Sequence, residues 1–192
     1  MVDDLQKIYD FFDLYYNCDK KTLRELSEDT AHHCYLVSDL SEAFDFDSIK
    51  NKCVQSDIAS ADALYFVEND KLILIEFKNG NNIRRFRAEC KTKGIHSKVI
   101  LRYILSYLDS CVCLSNIKLY YVVVINSTSA GLPSSAYGRA LASRLPSIEQ
   151  SNFIRYLTPD LIGVSVMGQS EYFDNVDVWV DTQFTNNLTA LS

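Results

Sequence analysis

A chain of 192 residues with 47% apolar and 12% aromatic side chains can bury a core as a single domain, which excludes an intrinsically disordered polymer. Its 19 lysines and arginines against 25 acids leave a net charge of −6, so no global positive field advertises nucleic acid, and a polyanionic partner needs a local basic patch or a bridging metal. Six cysteines, at 18, 34, 53, 90, 111 and 113, form no CxxC pair, which excludes the usual zinc and redox motifs and points to reduced, mostly buried thiols. The amino-terminal stretch MVDDLQKIYDFF has early acids and no long apolar segment, so it reads as neither signal peptide nor anchor. The longest apolar runs, LILI and LYYVVVI, are far too short to span a bilayer, and the expectation is a soluble, cytoplasmic protein with no membrane partner.

In chain order, Leu5, Ile8, Tyr9, Phe12 and Tyr15 or Tyr16 recur at three- and four-residue spacing, which predicts an amphipathic helix over 3–16. Thr22 with Glu25 three residues later is a capping box, and it opens a second helix over about 21–28. ADALYFV (61–67) and KLILIEFK (71–78) are strands separated by the turn-forming END, and so form a hairpin. The polar, basic NGNNIRRFRAECKTKG follows, and then HSKVILRYILSYLDS, where Val99, Ile100, Tyr103, Ile104 and Tyr107 predict a helix. IKLYYVVVIN is β-branched and apolar on both faces, as in a strand inside a sheet, and strand, helix and strand in succession imply an α/β layer. The last third suggests helices near 135–145 and 147–157 and strands at 161–167 and 176–180. With three prolines, six glycines and no repeat, residues 1–192 read as one domain.

The charged end of the second hairpin strand raises the chemical question. Alternation puts Leu72, Leu74, Glu76 and Lys78 on one face and Ile73, Ile75 and Phe77 on the other. A three-residue loop, Glu68–Asp70, pairs Val67 with Lys71 and sets Asp62 opposite Glu76 on that face. A two-residue Asn69–Asp70 loop slips the register by one and separates them. Two carboxylates converging with a lysine suit Mg²⁺ or Mn²⁺, which prefer oxygen, keep several waters and are completed by a substrate phosphate. Such an ion polarises a phosphoryl oxygen and acidifies a bound water, and Lys78 can orient that water or offset developing charge.

ADALYFVENDKLILIEFKNG resembles the hallmark of the PD-(D/E)xK nuclease superfamily, the restriction-endonuclease-like fold. The resemblance implies an αβββαβ core over about residues 30–126, a central mixed sheet flanked by helices, with additional N-terminal helices and a C-terminal extension. It makes Asp62 and Glu76 metal ligands and Lys78 the catalytic lysine. Ala61 stands where the motif has proline. The glutamine of exonuclease-like branches is missing from the following helix, which favours an endonuclease. Asp19-Lys20-Lys21 and Glu89-Cys90-Lys91 repeat the acid–lysine spacing without a preceding apolar strand.

Further candidates surround this trio. Glu42, in a run with Asp39, Asp45 and Asp47, could supply the additional helix acid found beside the metal in many nucleases. A solvated acidic face is the simpler explanation. His33, or His32 beside it, could be a ligand, as in the viral cap-snatching endonucleases of related fold. Asp57 is an alternative to Asp62 but precedes the apolar strand. Arg84, Arg85, Arg87, Lys91, Lys93, Lys98 and Arg102 against the single acid Glu89 form a basic segment where a phosphate backbone would pass; a solvated surface is the plainer account. The expected function is Mg²⁺- or Mn²⁺-dependent hydrolysis of DNA or RNA, with a homodimer left open. The alternatives are a catalytically silent nuclease-like module that binds nucleic acid or protein, and a protein-interaction domain from a defence or mobile-element system.

Overall fold

Leu5, Ile8 and Phe12 fall on one side of a helical wheel, and that side anchors α1 (Asp4–Tyr16) to a sheet. Phe12 is fully buried and meets Phe44 and Phe66 with ring centroids 5.4 and 5.9 Å apart. Tyr9 meets the same two rings edge-on. In this computed structural model, residues 4–54, 57–67, 71–79, 83–108, 112, 116–126, 164, 167–168 and 172–191 are described, with 83–85 and 87 as backbone only.

After a 3-10 turn (Asn17–Asp19) come β1 (Lys20–Thr22), α2 (Leu23–Leu26), and a small hairpin of β2 (Glu28–Asp29) and β3 (Cys34–Tyr35). Next are β4 (Glu42–Asp45), α3 (Phe46–Cys53), β5 (Ala63–Val67), β6 (Lys71–Lys78), the long α4 (Ile83–Leu105) and β7 (Lys118–Ile125). β8 (Asn175–Val180) and α5 (Phe184–Leu191) finish the described chain. The main sheet runs β1-β4-β5-β6-β7-β8, antiparallel from β1 to β6 and parallel from β6 to β8. α4 is the crossover that parallel pairing of β6 and β7 requires.

Strand alternation divides the core in two. Leu72, Leu74, Tyr121 and Val123 pack with α1, α3 and α4 on one face, and Ile73, Ile75, Val122, Val124 and Trp179 pack with Leu23, Phe184 and Leu188 on the other. The chain is therefore mixed α/β, a six-stranded sheet flanked by helices. No helix among the described residues is long and apolar enough to cross a membrane.

Several expectations change. The capping box at Thr22 is present, with Thr22 Oγ1 accepting from the Glu25 amide and Glu25 Oε2 accepting from the Thr22 amide, yet α2 lasts one turn. The chain then turns into the β2–β3 hairpin, where Leu36 donates its amide to the Ser27 carbonyl. The basic segment from Ile83 is helix, continuous with the next predicted one, because arginine, alanine, glutamate and lysine are strong helix formers. Its buried stripe holds Ile100 and Ile104, while Val99, Tyr103 and Tyr107 face solvent. Cys90 is buried, but Cys18 and Cys34 are exposed; all four described cysteines are unpaired thiols. The predicted strand at 176–180 is β8. The helices predicted at 135–145 and 147–157, and most of the strand at 161–167, lie outside the described residues.

Candidate functional site

The β5–β6 ladder decides the register. Val67 pairs with Lys71 and Ala63 with Ile75, the arrangement of a three-residue connection, and the Asp62 amide extends it by donating to the Ile75 carbonyl at 3.0 Å. Asp62 therefore arrives beside Glu76. Its Oδ2 accepts the Phe77 amide at 2.7 Å, which fixes the carboxylate against the exit of β6.

Glu76 is fully buried, and Lys78 is 8% exposed. Lys78 Nζ bonds Glu76 Oε1 at 2.7 Å and Glu89 Oε1 at 2.5 Å, with the Phe86 ring 5.7 Å below the ammonium. A second lysine completes the set. Lys93, one turn after Glu89 on α4, bridges Glu76 Oε1 at 2.9 Å and Asp62 Oδ1 at 3.3 Å. Three carboxylates thus share two ammonium groups.

Burial, reinforced by Asp62, pushes Glu76 up to about 8 against the pull of Lys93 and Lys78. Burial likewise raises Asp62. For Lys78, burial opposes the charge but Glu76 and Glu89 outweigh it, and for Lys93 the two site carboxylates do the same, so both ammoniums titrate above the ordinary lysine value. Cys90, behind the site on α4, is pushed up to about 12 by burial and is no candidate nucleophile.

Asp62 and Lys78 open onto a cleft of about 270 Å³ that also meets Glu28, Asp29, Phe77, Asn79 and Phe86, while Glu76 lies behind them. One wall is the stretch Leu26–Asp29, from the end of α2 into β2 of the hairpin. Asn79 donates to Asp29 at 3.2 Å and accepts from Asn126 at 2.7 Å, tying the hairpin to the exits of β6 and β7.

Asp62 and Glu76 are the donor set that could hold a divalent cation. Two oxygens already share one cationic partner, and Glu76 Oε2 is buried with no hydrogen-bond partner, a costly state that a metal ion relieves. Oxygen donors of this type fit Mg²⁺ or Mn²⁺ with water completing the shell. No group of three or more His, Cys, Asp or Glu side chains converges as a metal site among the described residues.

The other candidates stay apart from this pair. Glu42 is an exposed strand residue opposite Thr22 in the edge pair, not a helix acid. Its neighbours have local work: Asp45 caps α3 through the Ser48 amide, Asp39 accepts from Ser41 and Thr185, and Asp47 accepts from Ser60. His33 is exposed in the β2–β3 turn with a φ of 51°, and His32 bonds Asp29 at 2.8 Å. Asp57 is exposed ahead of β5. Lys91 and Arg102 are exposed on α4, and Lys98 lies over the Tyr172 and Phe173 rings. The side chains of Arg84, Arg85 and Arg87 lie outside the described residues.

Lys93 is the site residue that counting charges missed. Phe86, Cys90, Lys93, Ser97, Ile100 and Ile104 recur at three- and four-residue spacing, so its helical phase marks it as inward-facing. Comparison of the chain with family models, with curated proteins and with solved structures finds no match.

Proposed function

We propose that this chain is a metal-dependent nuclease of the PD-(D/E)xK type, hydrolysing DNA or RNA phosphodiesters with Mg²⁺ or Mn²⁺ held by Asp62 and Glu76. The observation that carries the reading is the convergence of Asp62, Glu76 and Lys78 at the exit of one hairpin, beside a cleft. The order of elements supports it. Three antiparallel strands (β4, β5, β6), a helix (α4) and a parallel strand (β7) come in the βββαβ order of such a core, with α3 inserted between β4 and β5; the leading helix would be α1, which lies ahead of the expected 30–126 span and is separated from β4 by β1, α2 and the β2–β3 hairpin.

When bound, the metal supplies Lewis acidity toward a phosphoryl oxygen and a more acidic water. The chain's own residues bind and orient. The Phe77 amide fixes Asp62, burial fixes Glu76, and Lys78 presents a positive charge at the cleft, where it meets negative charge developing on the phosphate. Phe86 walls that charge from bulk water. Arg84, Arg85, Arg87, Lys91, Lys98 and Arg102 on α4 are assigned to the phosphate backbone. The test is Mn²⁺-dependent cleavage of single- and double-stranded DNA and RNA, with the melting temperature read alongside. Asp62→Ala/Glu76→Ala must lose both cleavage and Mn²⁺ stabilisation; a metal response equal to wild type would remove this site from consideration.

A second reading has its own observation. Lys78 between Glu76 and Glu89, and Lys93 between Asp62 and Glu76, close the carboxylates into ion pairs, as a silent module using the cluster as a structural element would. Nucleic-acid binding without cleavage and without any Mn²⁺ response selects that reading.

A further inference from the structure

We infer that Lys93 is a resident counter-ion, occupying the place between Asp62 and Glu76 that a divalent cation takes only by displacing it; this rests on the metal-dependent reading above. Lys93 Nζ bonds one oxygen of each carboxylate, at 3.3 Å to Asp62 Oδ1 and 2.9 Å to Glu76 Oε1. An ion held by Asp62 Oδ1 and by either oxygen of Glu76, the unpartnered Oε2 included, would lie against the ammonium that bonds Asp62 Oδ1 and Glu76 Oε1, and like-charge repulsion at that range drives the ammonium out.

The two lysines are not equivalent. Lys78 is gripped by Glu76 and Glu89, sits over Phe86 and is almost wholly buried, so it stays where β6 puts it. Lys93 has a side chain 19% exposed on a flexible four-carbon stem, and its bonds to the site are to the two prospective ligands themselves. One turn earlier on the same helical face is Glu89, with a side chain 41% exposed, in the glutamate-before-lysine order that favours an (i, i+4) ion pair. Displacement therefore moves Lys93 from the carboxylate pair toward Glu89 without leaving α4.

The arrangement solves a problem that the metal-free protein would otherwise face. Two acids side by side, one fully buried, ionise together only beside a cation, and Lys93 is that cation until an ion of higher charge competes. The cost is affinity, since every binding event must expel an ammonium. Lys93 thus sets the metal concentration at which the site loads.

Two measurements on the full chain test this, and neither uses catalysis. The first is the Mn²⁺ dissociation constant by calorimetry, with the Mn²⁺-induced rise in melting temperature, for wild type and Lys93→Gln. Neutralising Lys93 should tighten Mn²⁺ binding by at least about tenfold and enlarge the Mn²⁺-induced rise, because like-charge juxtaposition is relieved. The second is acetylation of individual lysines in wild type, read by mass spectrometry with chelator or with Mn²⁺. Lys93 should become several-fold more reactive with Mn²⁺ while Lys78 does not, and this decides the matter if Lys93→Gln fails to fold. Equal Mn²⁺ affinity in both proteins and unchanged Lys93 reactivity overturn the counter-ion role and leave the metal site standing. Absence of Mn²⁺ binding to either protein overturns both.

Discussion

Raising the pH of the metal-free protein from 5 to 8 should weaken it, and Glu76 fixes the size of the effect. The carboxyl is fully buried, and burial together with Asp62 lifts it from the ordinary 4.5 to about 8. Between those values the native state keeps a proton that the unfolded chain has released, so unfolding free energy falls as pH rises through the window and levels off above it. At ~1.36 kcal/mol per pH unit, with the curve flattening as pH 8 is approached, the loss between pH 5 and 8 is on the order of 3–4 kcal/mol. For a domain of this size that is a fall in melting temperature of about 7–15 °C. Asp62, also raised, adds to the loss, whereas Lys78 and Lys93, raised above 10.5, titrate outside the window. Urea unfolding in chelating buffers, followed through Trp179, the only tryptophan, which packs edge-on against Phe184, gives the curve. Glu76→Gln should remove most of the slope. A wild-type curve that is flat or rises between pH 5 and 8, or a slope unchanged by Glu76→Gln, refutes the argument.

Lys78→Ala should cut cleavage by about 100-fold or more, as loss of one preorganised charge does elsewhere, while the protein stays folded because Glu76 keeps Lys93; loss of folding, seen by circular dichroism, assigns Lys78 to structure instead. Phe12→Ala removes a fully buried ring from the Tyr9–Phe44–Phe66 cluster and should cost about 3–5 kcal/mol in urea unfolding without altering Mn²⁺ affinity. At Gly94 an added Cβ would lie 2.9 Å from the Met167 Sδ and Cε and 3.0 Å from the Tyr121 ring. Gly94→Ala should therefore cost about 1–3 kcal/mol despite alanine's better helix propensity, and a stabilised variant contradicts that packing.

The hairpin was legible because the face of every β6 residue is fixed by strict alternation, and the loop length between Val67 and Lys71 then sets what stands opposite Glu76. α1 and the Thr22 capping box were legible for the same local reason. Lys93 was hidden by its chemistry. A charge in a basic segment reads as solvated until its helical phase is compared with Phe86, Cys90 and Ser97, and its partners are 31 and 17 residues away in the chain. β4 escaped notice because four residues, EAFD, give too little alternation to detect, and their strand geometry comes from pairing with β1 and β5. Glu42 was accordingly expected on a helix that the chain does not form there.

β6 has a hydrogen-bonded neighbour on each side, antiparallel β5 and parallel β7, and α4 covers the face that carries Glu76. Each amide proton of such a strand is bonded to one neighbour, but the other neighbour and the covering helix keep solvent away, which ties its exchange to the slower, more global openings of the molecule. The polar cluster is thereby embedded in the part of the sheet that comes apart last. A substitution there registers in the cooperativity of the whole domain, whereas the short edge strand β1, paired on one side, can fray and mend without the site sensing it.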